Sequence, residues 1–142
     1  MSIAISSVFD SGNIELVDAS SCDDIRLRIR PDAGGEFMQW FHFRAHGVRG
    51  LPLRLVIENA GACSYAAGWD GYQCVASYDR KHWFRIRDTR YDQVALTIEL
   101  TPAADTVWFA YFEPYAQERH LDLIAGCQTS GLARVESLGR SL

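Results

Sequence analysis

IRLRIR, residues 25–30, alternates Ile25, Leu27 and Ile29 with Arg26, Arg28 and Arg30. A period of two places successive side chains on opposite sides of an extended backbone, so this stretch is a strand with one dry and one wet face. The same period returns in LPLRLVIEN, residues 51–59, where Leu51, Leu53, Leu55 and Ile57 share one side, and in VALTIELT, residues 94–101, where Leu96, Ile98 and Leu100 do. FMQWFHFR, residues 37–44, carries large apolar groups on both sides, Phe37, Phe41 and Phe43 on one and Met38 and Trp40 on the other. A strand covered on both faces belongs in the middle of a sheet. VWFAYF, residues 107–112, divides in the same way into Val107, Phe109 and Tyr111 against Trp108, Ala110 and Phe112.

Turn-forming clusters separate these runs: DSGN at 10–13, PDAGGE at 31–36, HGVRG at 46–50, WDGY at 69–72 and TPAAD at 101–105. In the first of them Gly12 is free to take a positive φ and Asn13 to bond its own backbone. Short strands so punctuated, with no helix-length period among them, predict an all-β fold, an antiparallel β-sandwich of about eight to nine strands. After Pro114 the period changes. In YAQERHLDLIAG, residues 115–126, Leu121 and Ile124 can share a helical face, which predicts a short C-terminal helix ending near Gly126. The domain is expected to occupy residues 1–130. Residues 131–142 read as the start of a linker, with room for one more strand around Ala133–Ser137.

At 142 residues the chain is long enough to bury roughly 70% of its unfolded surface without staples. Hydrophobic residues are 48% and charged residues 23%, the proportions of a soluble globular domain. The net charge of -4 and a pI near 5.5 argue against general nucleic-acid binding. No apolar run approaches the ~20 residues that cross a bilayer, and the N-terminus lacks a signal-peptide pattern, so no membrane partner and a cytoplasmic location are expected. Cys22, Cys63, Cys74 and Cys127 form no C-x-x-C pair and read as buried free thiols.

No metal or catalytic motif stands out. His42 and His46 are four apart, a spacing that aligns ligands on a helix but not on a strand, and neither H-E-x-x-H nor H-x-x-E occurs. There is no G-x-S-x-G elbow, and Asp70, Asp79, Asp88 and Asp92 fall where turn-forming acids are usual. YDRKHWFRIR, residues 78–87, interleaves Arg80, Lys81 and Arg85 with Trp83, a patch able to bind an acidic peptide or a glycan by charge and stacking. The plainer reading is a hairpin with a polar turn at Asp79–Lys81, Trp83 in the core and solvated arginines.

Five ordered stretches, F-x-S-G-N at 9–13, W-F-x-F-R at 40–44, L-R-L-V-I-E-N-A at 53–60, Y-D-R-K-H-W-F-R at 78–85 and F-A-Y-F-E-P-Y at 109–115, resemble the N-terminal domain of the cytosolic carboxypeptidases, zinc metallopeptidases of the M14 family. The resemblance implies a β-sandwich placed before a separate α/β peptidase domain that holds the zinc, its ligands and every catalytic residue. This chain would then be non-catalytic. It would pack against the peptidase domain of the same polypeptide and shape access to an active site that trims C-terminal residues from peptides. Phe112, Pro114 and Tyr115, where the last strand leaves the sandwich, become the expected interdomain surface. The alternative is a free-standing module that binds acidic peptides or glycans through Arg80, Lys81, Trp83 and Arg85. One departure is local: the family usually has Ser or Thr after the P-Y pair, and Ala116 stands here without a hydroxyl to cap the helix.

Overall fold

The computed structural model describes residues 2–139. Ten strands, β1 (Ala4–Ser6), β2 (Glu15–Asp18), β3 (Ile25–Arg28), β4 (His42–His46), β5 (Leu53–Ile57), β6 (Val75–Ser77), β7 (Phe84–Arg85), β8 (Thr89–Tyr91), β9 (Leu96–Leu100) and β10 (Thr106–Ala110), are followed by one helix, α1 (Gln117–Thr129). They form two five-stranded sheets, ordered β1-β4-β10-β6-β7 and β2-β3-β5-β9-β8. The sandwich expected from the alternation is present, with ten strands rather than eight or nine. The extra strands are short edge pieces whose few residues show no period. One pair, β3 with β5, is parallel. That register is extended past the strand ends by Asn59, whose side-chain amide accepts from Ile29 N (2.9 Å) and donates to Ile29 O (2.8 Å), as a neighbouring strand would.

The core lies between the sheets. Ile25, Leu27, Leu55, Ile57, Leu96 and Ile98 from one face Phe43, Ala45, Val107 and Phe109 from the other, and all are buried. Phe43 and Phe109 stack at 5.1 Å, and Phe41 lies against Trp69 at 6.2 Å. Trp69 sits on one of two short 3-10 turns, Ala60–Ala62 and Ala66–Trp69, and its indole nitrogen donates to Ala60 O at 2.9 Å. A buried indole N–H would otherwise lose its hydrogen bond to water.

Several expectations are corrected. The strand predicted over 37–44 begins only at His42, and Phe37 is 73% exposed. Residues 38–41 instead run beside the 64–65 segment, with Met38 N donating to Ser64 Oγ and Ser64 N to Met38 O. Gly12 does not carry the positive φ; Ser11 does, at 63°. Glycine is needed at 12 for space, since a Cβ there would stand 2.0 Å from Ser7 O. Asn13 bonds distant backbone, not its own: its Nδ2 donates to Arg30 O (2.9 Å) and Trp40 O (2.8 Å). The four thiols are unpaired, but Cys22 and Cys127 are only half-buried.

The helix is longer than expected, passing through Gly126 to Thr129. Ala116 does stand at its N-cap without a side-chain bond, yet Asp10 supplies one from the β1–β2 loop: its Oδ2 accepts from Gln117 N at 2.7 Å. A capping carboxylate also meets the positive end of the helix. No residue of α1 is buried. The strand expected at Ala133–Ser137 does not form; residues 131–139 run without regular structure, with Leu132 and Leu138 exposed. The remainder of the expected linker, residues 140–142, lies outside the described residues.

Candidate functional site

Along β4, Phe43 and Ala45 enter the core while His42 points to the other side, in register with Ala110 of β10, which in turn faces Val75 of β6. On an open sheet this outer position would be wet. Here it is covered, and His42 is 2% exposed. Its ring lies 4.9 Å from Phe9, 6.0 Å from Trp40 and 5.9 Å from Trp83, all edge-on, and Trp40 in turn meets Phe112 at 5.0 Å. Edge-to-face pairs of this kind set the positive rim of one ring against the negative face of the next. Trp40 is fixed by its indole nitrogen, which donates to Ser11 O at 2.7 Å.

The imidazole Nδ1 is 3.0 Å from Ser11 Oγ, whereas the buried Nε2 has no hydrogen-bond partner. Burial, reinforced by the Arg80 guanidinium and partly offset by Asp10, pushes His42 down to about 4. The ring is therefore a neutral polar group at physiological pH.

Above it opens a cleft of about 440 Å³, lined by His42, by Asp79, Arg80, Lys81 and Trp83 of the β6–β7 turn, and by the segment from Glu113 to Asp122. The turn is held by Asp79, whose Oδ1 accepts from Lys81 N and His82 N at 2.8 Å each and whose Oδ2 lies 2.6 Å from His82 Nδ1. These bonds hold its carboxyl well below the usual carboxylate range, His82 contributing most. On the opposite wall Arg119 bonds Glu113 at 2.8 Å and Pro114 O at 3.3 Å, with its guanidinium 5.4 Å from the Tyr115 ring.

The structure thus brings Arg80, Lys81 and Trp83 together with Pro114. Trp83 leaves the core, where the plainer reading put it, because the hairpin turns its ring onto His42. Arg85 lies apart on β7, bonding Gln73 O at 3.1 Å. Phe112 and Tyr115 are each 54% exposed and Pro114 is buried. The sequence presents His42 only as a candidate metal ligand, through its spacing from His46. Its signal is present in W-F-H-F: a polar residue at an outward position two places after the outward-facing Trp40.

Four of the five stretches that carry the resemblance meet around this histidine: FDSGN through Phe9 and Ser11, WFHFR through Trp40 and His42, YDRKHWFR through Arg80 and Trp83, and FAYFEPY through Phe112 and Pro114. Residues 5–112 match the cytosolic carboxypeptidase N-terminal domain family. The chain belongs to it. Among solved structures the chain is similar to a metallo-carboxypeptidase from Burkholderia cenocepacia, 46% identical with a TM-score of 0.95 over 99% of this chain and 37% of that one. A metallo-carboxypeptidase from Pseudomonas aeruginosa, solved with (2-guanidinoethylmercapto)succinic acid, is 44% identical with a TM-score of 0.85 over 88% of this chain and 33% of its own. An uncharacterized protein of Zymomonas mobilis is 41% identical across all 142 residues. The chain spans 37% of that relative's length. Among the described residues no helix is long and apolar enough to cross a membrane.

Proposed function

We propose that this chain is the non-catalytic N-terminal domain of a cytosolic zinc carboxypeptidase polypeptide. It packs against the peptidase domain and shapes the approach to that domain's active site. One observation carries the reading: a sandwich complete in itself ends in a thirteen-residue helix with no buried residue, while relatives of the same fold are nearly three times as long. Leu121 and Leu123 of α1, with Phe112 and Tyr115 before it, offer exposed apolar surface on the segment leaving the sandwich. Surface of this kind marks a contact with another protein element.

Zinc belongs, on this reading, to the other domain. Among the described residues no three His, Cys, Asp or Glu side chains gather where they could hold a metal ion. The residues present do not fit the metal, and no catalytic step is assigned to them. The test uses the polypeptide encoded through and beyond Leu142. It should bind zinc and release C-terminal amino acids from peptides, and Tyr115→Asp with Leu121→Asp should loosen the two domains, read as separate thermal transitions. A polypeptide without zinc or peptidase activity overturns the assignment. Unaltered coupling in the double variant overturns the interface.

The alternative, ligand binding by this chain, is favoured by the cleft over His42, where Arg80, Lys81 and Trp83 converge without Arg85.

A further inference from the structure

The charges around the cleft are not all engaged. Glu113 and Arg119 pair with each other, and Asp79 is taken up by His82 and the turn amides. Arg80 and Lys81 on one side, and Glu118 and Asp122 on the other, line the same space, and none of these four is in an ion pair among the described residues. Cations and carboxylates that share a cleft without meeting leave room for a ligand that carries both signs. A purely acidic ligand would face the carboxylates of α1, a purely basic one the cations of the turn.

The floor of the cleft holds a further unengaged polar group. His42 is 98% buried by its 2% exposure, its Nδ1 is engaged by Ser11, and Nε2 is left over. A buried polar atom without a partner costs about 1–3 kcal/mol, and native proteins leave few of them. The volume of about 440 Å³ falls within the range of small-ligand pockets, and Trp83 gives an aromatic wall.

We propose that the cleft over His42 binds a small zwitterion, a free α-amino acid. Its carboxylate lies toward Arg80 and Lys81, its ammonium toward Glu118 and Asp122, and its side chain against Trp83. The inference rests on the reading of this chain as a ligand-binding module and names the ligand class. It does not require a peptidase domain.

The test is a titration of the isotope-labelled chain followed by NMR at the His42 imidazole and Trp83 indole nitrogens. The probes are L-phenylalanine, N-acetyl-L-phenylalanine, which lacks the ammonium, and L-phenylalaninamide, which lacks the carboxylate. L-phenylalanine is expected to shift both resonances saturably, and each blocked form to bind at least about tenfold more weakly, the value of one charge-assisted bond. Arg80→Gln with Lys81→Gln should abolish discrimination against the amide, and Glu118→Gln with Asp122→Asn discrimination against the acetylated form. These positions are exposed, so the variants should keep the unliganded spectrum of the parent. Equal binding of all three probes overturns the zwitterion while leaving a binding cleft. No saturable shift with any probe overturns the binding reading as well, and shifts that avoid His42 and Trp83 overturn the location.

Discussion

Phe109 in β10 and Leu123 in α1 stand for two ways in which an apolar side chain is carried. Phe109 is fully buried in the core between the sheets and stacked on Phe43 of the neighbouring strand. Leu123 is exposed, on a helix none of whose residues is buried and whose first amide is capped from another loop. The sandwich holds itself by packing, whereas the helix is attached by polar contacts at its start. The same chain thus contains a region packed through its own core and a helix that buries none of its residues fully.

That contrast is sharpest in truncation. Phe109→Ala should destabilise the chain by about 3–5 kcal/mol through lost transfer energy and a cavity that the two sheets cannot close. Denaturant unfolding measures it, and a loss below 1 kcal/mol would mean that the core is looser than its burial implies. The covered histidine gives the next effect, through pH. Burial holds His42 at about 4 in the folded chain against about 6.5 in an unfolded one. Between those values the unfolded state binds a proton that the folded state does not. Stability therefore falls as pH drops from about 6.5 toward 4, with a slope of up to about 1.4 kcal/mol per pH unit, and this contribution is absent above the window. Direct NMR titration of His42 checks it, and an apparent value above 6 would show that the outer layer admits water.

The sandwich was legible because its signal is periodic. Ile25, Leu27 and Ile29, or Leu96 and Ile98, announce their face whatever surrounds them. The errors fall where one residue's role depends on a distant segment. Trp83 was assigned to the core because aromatic residues usually lie there, but its place was decided by β6 and β7 turning it onto a histidine far away in sequence. Ala116 made the helix look uncapped because the capping carboxylate, Asp10, lies at the opposite end of the chain. Gly12 was read as a source of positive φ, when its necessity is the nearness of Ser7 O. Periodicity reports a residue's own environment, while caps, close approaches and clefts are made by pairs that no local window contains.

Gly12 turns that lesson into a measurement. Gly12→Ala forces a methyl against backbone and should cost about 1–3 kcal/mol. Gly126→Ala, in open space on α1, should instead leave global stability unchanged or raise helix stability by up to about 1 kcal/mol. Equal effects at the two glycines would remove the distinction between packed loop and unpacked helix. Asp10→Ala comes next, at about 1 kcal/mol. The loss should be confined to α1, seen as faster amide exchange at Gln117–His120 with the sandwich amides unaltered, since the bond it removes joins the loop only to the first helical turn. Faster exchange throughout both sheets would mean that the helix and the sandwich unfold as one unit.

Leu123→Ala should have the smallest effect. An exposed side chain that touches no core removes little apolar surface from water, so the expected change in this chain is within about 0.5 kcal/mol. The same substitution in a polypeptide that carries the proposed peptidase domain should cost about 2–5 kcal/mol at the interdomain contact if Leu123 is enclosed there as a core leucine would be. Measuring both separates two descriptions of α1. If the cost appears only in the longer chain, the exposed leucine is one half of an interface. If it is absent in both, α1 is a solvated extension and its apolar residues have no structural counterpart. A large loss in the short chain alone would show that α1 packs on the sandwich after all, and that the contrast between Phe109 and Leu123 is one of degree.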